Sequence, residues 1–320
     1  AYQRRIQSEA SDVCRFLLPS ASLANVGVTM NARALEYAIC KMLSSPLAEV
    51  QAIGEQLRQV GQAEAPTLIK YADCNAYLIG VREQIQKQNL KSRFTEQDQG
   101  LTLIDWDRDG ETKILAAILC RFGAADGYQS ALEFINAMTK GEKQQLVTQI
   151  MESRKRYDQP LREFEYASMT FEAVMDQGAY YEFKRHRMMT QTVESLGADL
   201  GYAIPQAVAD AGCLDKFEEA MREAARLYEA MVGWNPDAAS YIVPNGFNRR
   251  VLFQMNLREA FHFCRLRAAE NAHFSIRKVG LQVAEKIREI YPLFGPYLDV
   301  PHGHTSQEVV RHYFSRLRAT

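Results

Sequence analysis

Apolar positions recur with helical spacing along most of this chain and with strand spacing at only a few places. Leu35, Ala38, Ile39, Met42 and Leu43 share a face and predict a helix within 32–61, with Pro46 at the first position of a second one. Helical patterning continues to about residue 90, and the polar, aperiodic stretch 90–100 reads as a linker. Leu101-Thr-Leu-Ile-Asp-Trp106 predicts a strand that ends in the turn signal Asp107-Arg-Asp-Gly110. Helices are expected at about 111–122, 128–139 and 142–156, a strand at Phe164–Phe171, and a helix over 172–188. The clearest amphipathic helix is 214–231, where Leu214, Phe217, Met221, Ala225 and Tyr228 line one face and Glu218 and Arg222 pair on another. Asn235-Pro236 stops it, 240–256 reads extended, and 257–268 and 271–290 read helical.

Composition narrows the class without naming a function. The 320 residues correspond to about two domains of ~150 residues. Lys and Arg total 38 against 39 Asp and Glu, so the net charge of −1 argues against bulk binding of nucleic acid or anionic membrane. No apolar run approaches the ~18 residues of a membrane span, and the N-terminal residues show no secretory signal. Cys14, Cys40, Cys74, Cys120, Cys213 and Cys264 are scattered without metal-ligand spacing, which predicts no metal site and fits a cytoplasmic protein. His302-Gly-His304 has no acidic or Cys neighbours and reads as a solvated loop; Met188-Met189 reads as packing.

The chain contains an internal repeat. RFLLPSASLANVGVTMNARALEYAICKML (15–43) and SYIVPNGFNRRVLFQMNLREAFHFCRLRA (240–268) align at a constant offset of 225, with Pro19 on Pro244, Asn31 on Asn256 and Arg33 on Arg258. Both run on into an apolar helix and then a second. The expected organisation is the rear portion of a first repeat over 1–89 and a complete second repeat over 90–320, so the first copy begins part-way through, and an N-terminal portion of the same protein is the expected partner.

Arg185-His186-Arg187 is the candidate chemistry. At 100° per residue the three groups fan around a helix end, where guanidinium forks suit a phosphate-bearing ligand. The plainer account is cations placed against the macrodipole at a helix C-terminus. The run continues as RHRMMTQTVES, so that Ser195 follows after seven residues, and this pattern resembles the signature of the flavin-dependent thymidylate synthases. Glu165-Tyr-Ala-Ser-Met-Thr-Phe171 resembles that family's E-H-A-S-F-T-F strand, Asn256-Leu-Arg258 its N-A-R, and His262-Phe-Cys-Arg-Leu-Arg267 its N-F-L-x-L-R. Leu101–Leu115 resembles its opening strand and helix, and Arg15-Phe-Leu-Leu-Pro19 with Thr29-Met-Asn-Ala-Arg33 its R-x-x-L-P and N-A-R.

The resemblance implies an α+β fold with a mixed sheet and packed helices, and a homo-oligomer with sites at subunit interfaces. It implies methylene transfer from methylenetetrahydrofolate to C5 of dUMP, giving dTMP, with FAD reduced by NADPH and no cysteine nucleophile. Carried over by position, Arg185, His186, Arg187, Asn256, Arg258, His262, Asn31 and Arg33 would contact FAD, His262 replacing an Asn. Glu182 stands where the family has a dUMP-contacting Gln, and Ser195 and Arg15 would lie by the dUMP phosphate. Arg267 matches the Arg that polarises the uracil ring, a role suited to a guanidinium because negative charge develops there. Arg249, Arg250 and Arg265 either add cations to this site or form a solvated face with local salt bridges.

The sequence also departs from the family. Val193 and Gly197 replace a Glu and an Arg flanking the motif Ser, and Tyr166 replaces the strand His. Arg15 becomes Ser240 in the second copy, and Arg267 is Met42 in the first, so each copy keeps what the other has lost and working sites would be composite. The alternative is a non-catalytic relative that binds FAD or a nucleotide as a scaffold or regulator.

Overall fold

A computed structural model describes residues 2–88, 100–155 and 157–318. Two compact units result: one from Ala1–Ser20, Asp98–Glu229 and Ile242–Thr320, the other from Ala21–Gln97 and Ala230–Tyr241. All of the expected 90–100 linker except Gly100 lies outside the described residues.

The larger unit is α+β. Its strands are β1 (Leu101–Trp106), β2 (Ser168–Asp176), β3 (Thr190–Val193), β4 (Tyr202–Pro205), β5 (Asn248–Asn256) and β6 (Phe314–Arg318). An antiparallel sheet has the order β1-β2-β5-β3, and β4 pairs with β6 separately. Alternation sets the buried face: Met169, Phe171 and Ala173 on β2 and Val251, Phe253 and Met255 on β5 point into the core. Phe171 and Phe253, opposite in register, stack at 5.4 Å. Against this face lies the helix Phe274–Ile290, with Ile276, Val279, Leu281, Val283, Ala284 and Ile287 buried. Tyr291, at its end, is fully buried and donates to the carbonyls of Asp107 (3.0 Å) and Ser168 (3.3 Å), tying the exit of β1 to the entry of β2. Burial pushes its phenol pKa up.

Several local expectations shift by a few residues. Pro46 precedes the helix Ala48–Glu64, whose N-cap is Leu47, and so is not at its first turn. Phe164–Tyr166 form part of the 3-10 turn Arg162–Tyr166, and the strand runs on through 172–176, where a helix was expected, because Ala173, Val174 and Met175 are covered. The helix after it is the short Gln177–Phe183, started by Asp176, whose side chain accepts from the Ala179 amide (2.8 Å). Asn235-Pro236 ends Leu214–Val232 and also opens Pro236–Ala239, with Asn235 as N-cap and Pro236 in the first turn. The apolar face of Leu214–Val232 is as expected, with Phe217 and Met221 buried and Arg222 paired with Glu218 (3.6 Å).

The smaller unit is helical over Ala32–Leu43, Ala48–Glu64 and Ala76–Lys87. Its core is small, built on Ile39, Ile69 and Ala72. The first two helices approach closely at Gly54, where a Cβ would stand 2.8 Å from that of Met42.

Tyr291→Phe tests the tie between β1 and β2. Both acceptor carbonyls keep a backbone donor, from Gly110 and Asp107, so the loss should stay near the low end, about 1 kcal/mol in urea unfolding. An unchanged midpoint would show that the tie carries no stability.

Candidate functional site

The ends of β2 and β5 place the candidate residues. β2 runs through Asp176 into Gln177–Phe183, and residues 184–189 turn back into β3. β5 ends at Asn256, which caps Leu257–Arg267 by accepting from the Glu259 amide (2.9 Å). Arg185-His186-Arg187 therefore sits just past the helix, in the turn.

Four side chains from these two segments form one network. Arg267 donates from Nε to Nε2 of His186 (2.9 Å) and from Nη1 to Glu182 (2.6 Å). His186 Nδ1 meets Glu259 at 3.2 Å. A ring that accepts at Nε2 donates at Nδ1, so His186 is the neutral Nδ1–H tautomer with Glu259 as acceptor. His186 and Glu259 are buried, and the Phe263 ring meets His186 edge-on at 5.0 Å. The other oxygen of Glu182 pairs with the exposed Arg185 (3.0 Å), so this carboxylate is clamped between two guanidinium groups. Nη2 of Arg267 has no hydrogen-bond partner among the described residues.

Positive charge gathers beside this network. Arg249 lies over the Tyr180 ring at 4.4 Å and donates to Gln177 (2.8 Å), while its buried Nε has no partner among the described residues. Lys184 lies over Tyr181 at 4.8 Å. Its pKa is pushed down by burial first and then by repulsion from Arg249 and Arg185. Arg250 instead pairs with Glu172 (2.8 Å), one of the local salt bridges expected of that run.

His262 is half-buried, with its ring 5.7 Å from that of His186, and burial lowers its pKa. Arg187 and Ser195 are exposed. Asn256 spends its side chain on the cap. Arg258 donates to the Pro160 carbonyl (2.9 Å) and pairs with Glu165 (3.3 Å), so its partners are not those of Arg267. Arg15 is exposed and pairs with Asp12 (3.2 Å). Asn31 caps Ala32–Leu43 in the smaller unit, and Arg33 is exposed there. Sequence reasoning missed Glu259, Lys184 and Tyr180. Glu259, three residues after Asn256, carries an N-cap signature that points to a helix start but not to His186.

Two further residues shape the site from behind. Cys264 lies within the Arg267 helix, but burial pushes its thiol pKa up to about 12, which leaves it unreactive. Gly280 lets Phe274–Ile290 pass against that helix's end: a Cβ there would lie 2.7 Å from the Arg267 carbonyl carbon and 2.8 Å from the Ala268 nitrogen. Among the described residues no cluster of three or more His, Cys, Asp or Glu is placed to hold a metal, and no helix is long and apolar enough to cross a membrane.

Comparison with known proteins bears on the same segment. The family model described as thymidylate synthase complementing protein matches residues 102–293, more than half of the chain and all of this network. The chain belongs to that family. It is 29% identical to a UPF0159 protein of Chlamydia muridarum over 93% of its length, and 28% identical to UPF0159 protein Ta1429 of Thermoplasma acidophilum over 97%. It spans only 58% and 64% of those relatives. It is also 29% identical over 118 residues, 33% of this chain and 48% of the relative, to a flavin-dependent thymidylate synthase of Pyrococcus abyssi. A solved UMP/dUMP methylase, PolB of Streptomyces cacaoi bound with 5-Br dUMP, aligns at a TM-score of 0.48 and 19% identity, over 63% of this chain and 95% of that one.

Gly280→Ala should destabilise this Thy1-type unit by about 1–3 kcal/mol, because backbone cannot yield as a flexible side chain would. Urea unfolding reads the loss, and a neutral result would mean that the two helices separate freely at this crossing.

Proposed function

We propose that the protein containing this chain methylates dUMP at C5, taking the carbon from methylenetetrahydrofolate and using FAD reduced by NADPH. The single observation that carries this reading is the hydrogen bond from Arg267 to His186, which joins the R-H-R motif to the ring-polarising Arg across 81 positions. Two motif blocks that the family resemblance ties to one reaction thus meet in one partly buried network.

The donor set suits anionic ligands. Arg185 and Arg187 are exposed, and repulsion from Arg249 and Arg185 adds to burial in lowering the Lys184 pKa. A phosphate there would relieve that repulsion, with guanidinium forks as bidentate donors. Arg185, His186, Arg187 and His262 would hold FAD, with Asn256 and Arg258 behind them; Asn31 and Arg33 would likewise serve FAD, and Arg15 the dUMP phosphate, each together with other copies in an oligomer. Reduced FAD supplies the hydride when bound.

His186, held by Glu259, fixes the Arg267 fork by accepting at Nε. Arg267 keeps Nη2 for a pyrimidine carbonyl, where it would stabilise charge on the ionised ring. Glu182 competes for the same guanidinium. Arg267 becomes fully available when Glu182 swings toward Arg185, with which it already pairs. Ser195 would lie by the phosphate. The six cysteines are all unpaired, which suits the reducing cytoplasm of nucleotide synthesis.

The Glu182–Arg267 ion pair also favours a second reading, a flavin- or nucleotide-binding relative without turnover, since a neutralised guanidinium polarises little. dTMP formation by the complete protein, with methylenetetrahydrofolate, FAD and NADPH, separates the two. Under the catalytic reading Arg267→Ala lowers turnover about 10²–10³-fold, and Arg267→Lys is also impaired because it loses the planar fork. Glu182→Gln should keep or raise activity, since it removes the competing charge. Bound flavin without any dTMP in wild type and Glu182→Gln alike would establish the second reading. Wild-type rates in Arg267→Ala would overturn the role of Arg267.

A further inference from the structure

Residues 23–31 carry the pattern of β5 without a sheet. At the 225-residue offset Val26 corresponds to Val251, Val28 to Phe253 and Met30 to Met255. On β5 these three are the core face, 0%, 1% and 2% exposed. Their counterparts alternate in the same period of two, yet are 78%, 66% and 42% exposed, and 22–31 has no strand pairing among the described residues. An alternating apolar face in water is an unpaid burial, and an unpaired extended backbone offers a free edge.

The flanks correspond as well. A 3-10 turn precedes each Pro, Arg15–Leu17 before Pro19 and Ser240–Ile242 before Pro244. Asn31 and Asn256 each cap a helix by accepting the amide three residues on. A second helix of 17 residues follows in both, Ala48–Glu64 and Phe274–Ile290. Within the larger unit Pro19 and Pro244 form an antiparallel bridge, and its hydrogen bonds are reciprocal. The Ser20 amide donates to the Val243 carbonyl (3.0 Å) and the Asn245 amide to the Leu18 carbonyl (2.9 Å), one bond turning into the other under the offset of 225. Such reciprocity is the mark of an isologous pairing between like segments.

We propose that residues 22–31 are a sheet strand whose antiparallel partner is a strand of the β2 type, in the front half of the first repeat, contributed by a part of the protein outside this sequence. On β5 that partner is β2, paired from Ser168–Asn256 to Asp176–Asn248. The same register would set the missing strand against Leu23–Asn31. The longer relatives have room for it: the Chlamydia muridarum match of 313 residues is 58% of that protein, leaving about 230 residues outside it. A second copy of this chain fits less well, because its own β2 is already paired on both edges, by β1 and β5. The inference rests on the repeat and not on the catalytic reading, and flavin content or turnover does not bear on it.

Amide hydrogen exchange over 22–31 tests it, comparing the 320-residue chain with the protein expressed from its complete reading frame. The 320-residue chain should exchange there at nearly unprotected rates, and the complete protein should show at least about hundredfold protection. Val28→Asp should leave the melting temperature of the 320-residue chain unchanged and lower that of the complete protein. Fast exchange in the complete protein, or a complete reading frame with no β2-type strand outside this sequence, overturns the proposal. Protection in the 320-residue chain that grows with its concentration also overturns it, in favour of a second copy.

Discussion

Each rung of the ladder between β2 and β5, from Ser168–Asn256 to Asp176–Asn248, fixes where a helix can begin. Asp176 and Asn256 close opposite ends of the ladder, and each spends its side chain capping the helix that follows. A slip of one residue would turn Phe171 and Phe253 out of the core and move both caps. Because the strands are antiparallel, the two helices start at opposite ends of the sheet, and their far ends meet where Arg267 reaches His186 and Glu182. Phe274–Ile290 then seals the arrangement, coming close enough at Gly280 to touch the Arg267 backbone.

The chemistry of the site follows from how its charges are shared. Two carboxylates, Glu182 and Glu259, bracket one guanidinium and one neutral imidazole, while Lys184, Arg185 and Arg249 crowd the adjoining surface. A charge held largely out of water is costly when isolated, so Arg267 needs a counter-ion. Glu182 provides one. Where the family resemblance implies a Gln, this chain has a carboxylate that neutralises the Arg267 guanidinium.

The repeat gives a physical reason for the uneven inventory of motif residues. The second copy holds a complete ladder, its N-cap Asn256, and Arg267. The first holds an equivalent cap in Asn31 and an equivalent Pro19, but Met42 stands at the position of Arg267 and packs near Gly54.

Period and punctuation were enough to read much of this chain. The strand at Leu101–Trp106, the apolar face of Leu214–Val232 and the helices following Asn31 and Asn256 are all written in local pattern, because burying one face of an element leaves a period of two or of 3.6; the α+β class comes from the family resemblance. The R-H-R run, Ser195 and Arg267 could be named because their motifs resemble those of the family. What the sequence could not supply was which of them touch. The strand through Ala173–Met175 read as helix because all three are buried and the alternation vanishes. Sequence reasoning does not single out Glu259 at all, and the resemblance makes Arg258 an FAD contact and Glu182 a dUMP contact. Only the tertiary structure assigned Glu259 to His186, Arg258 to Glu165 and Glu182 to Arg267, since a charged side chain pairs with whatever the fold brings within about 3 Å, and no local period records that distance.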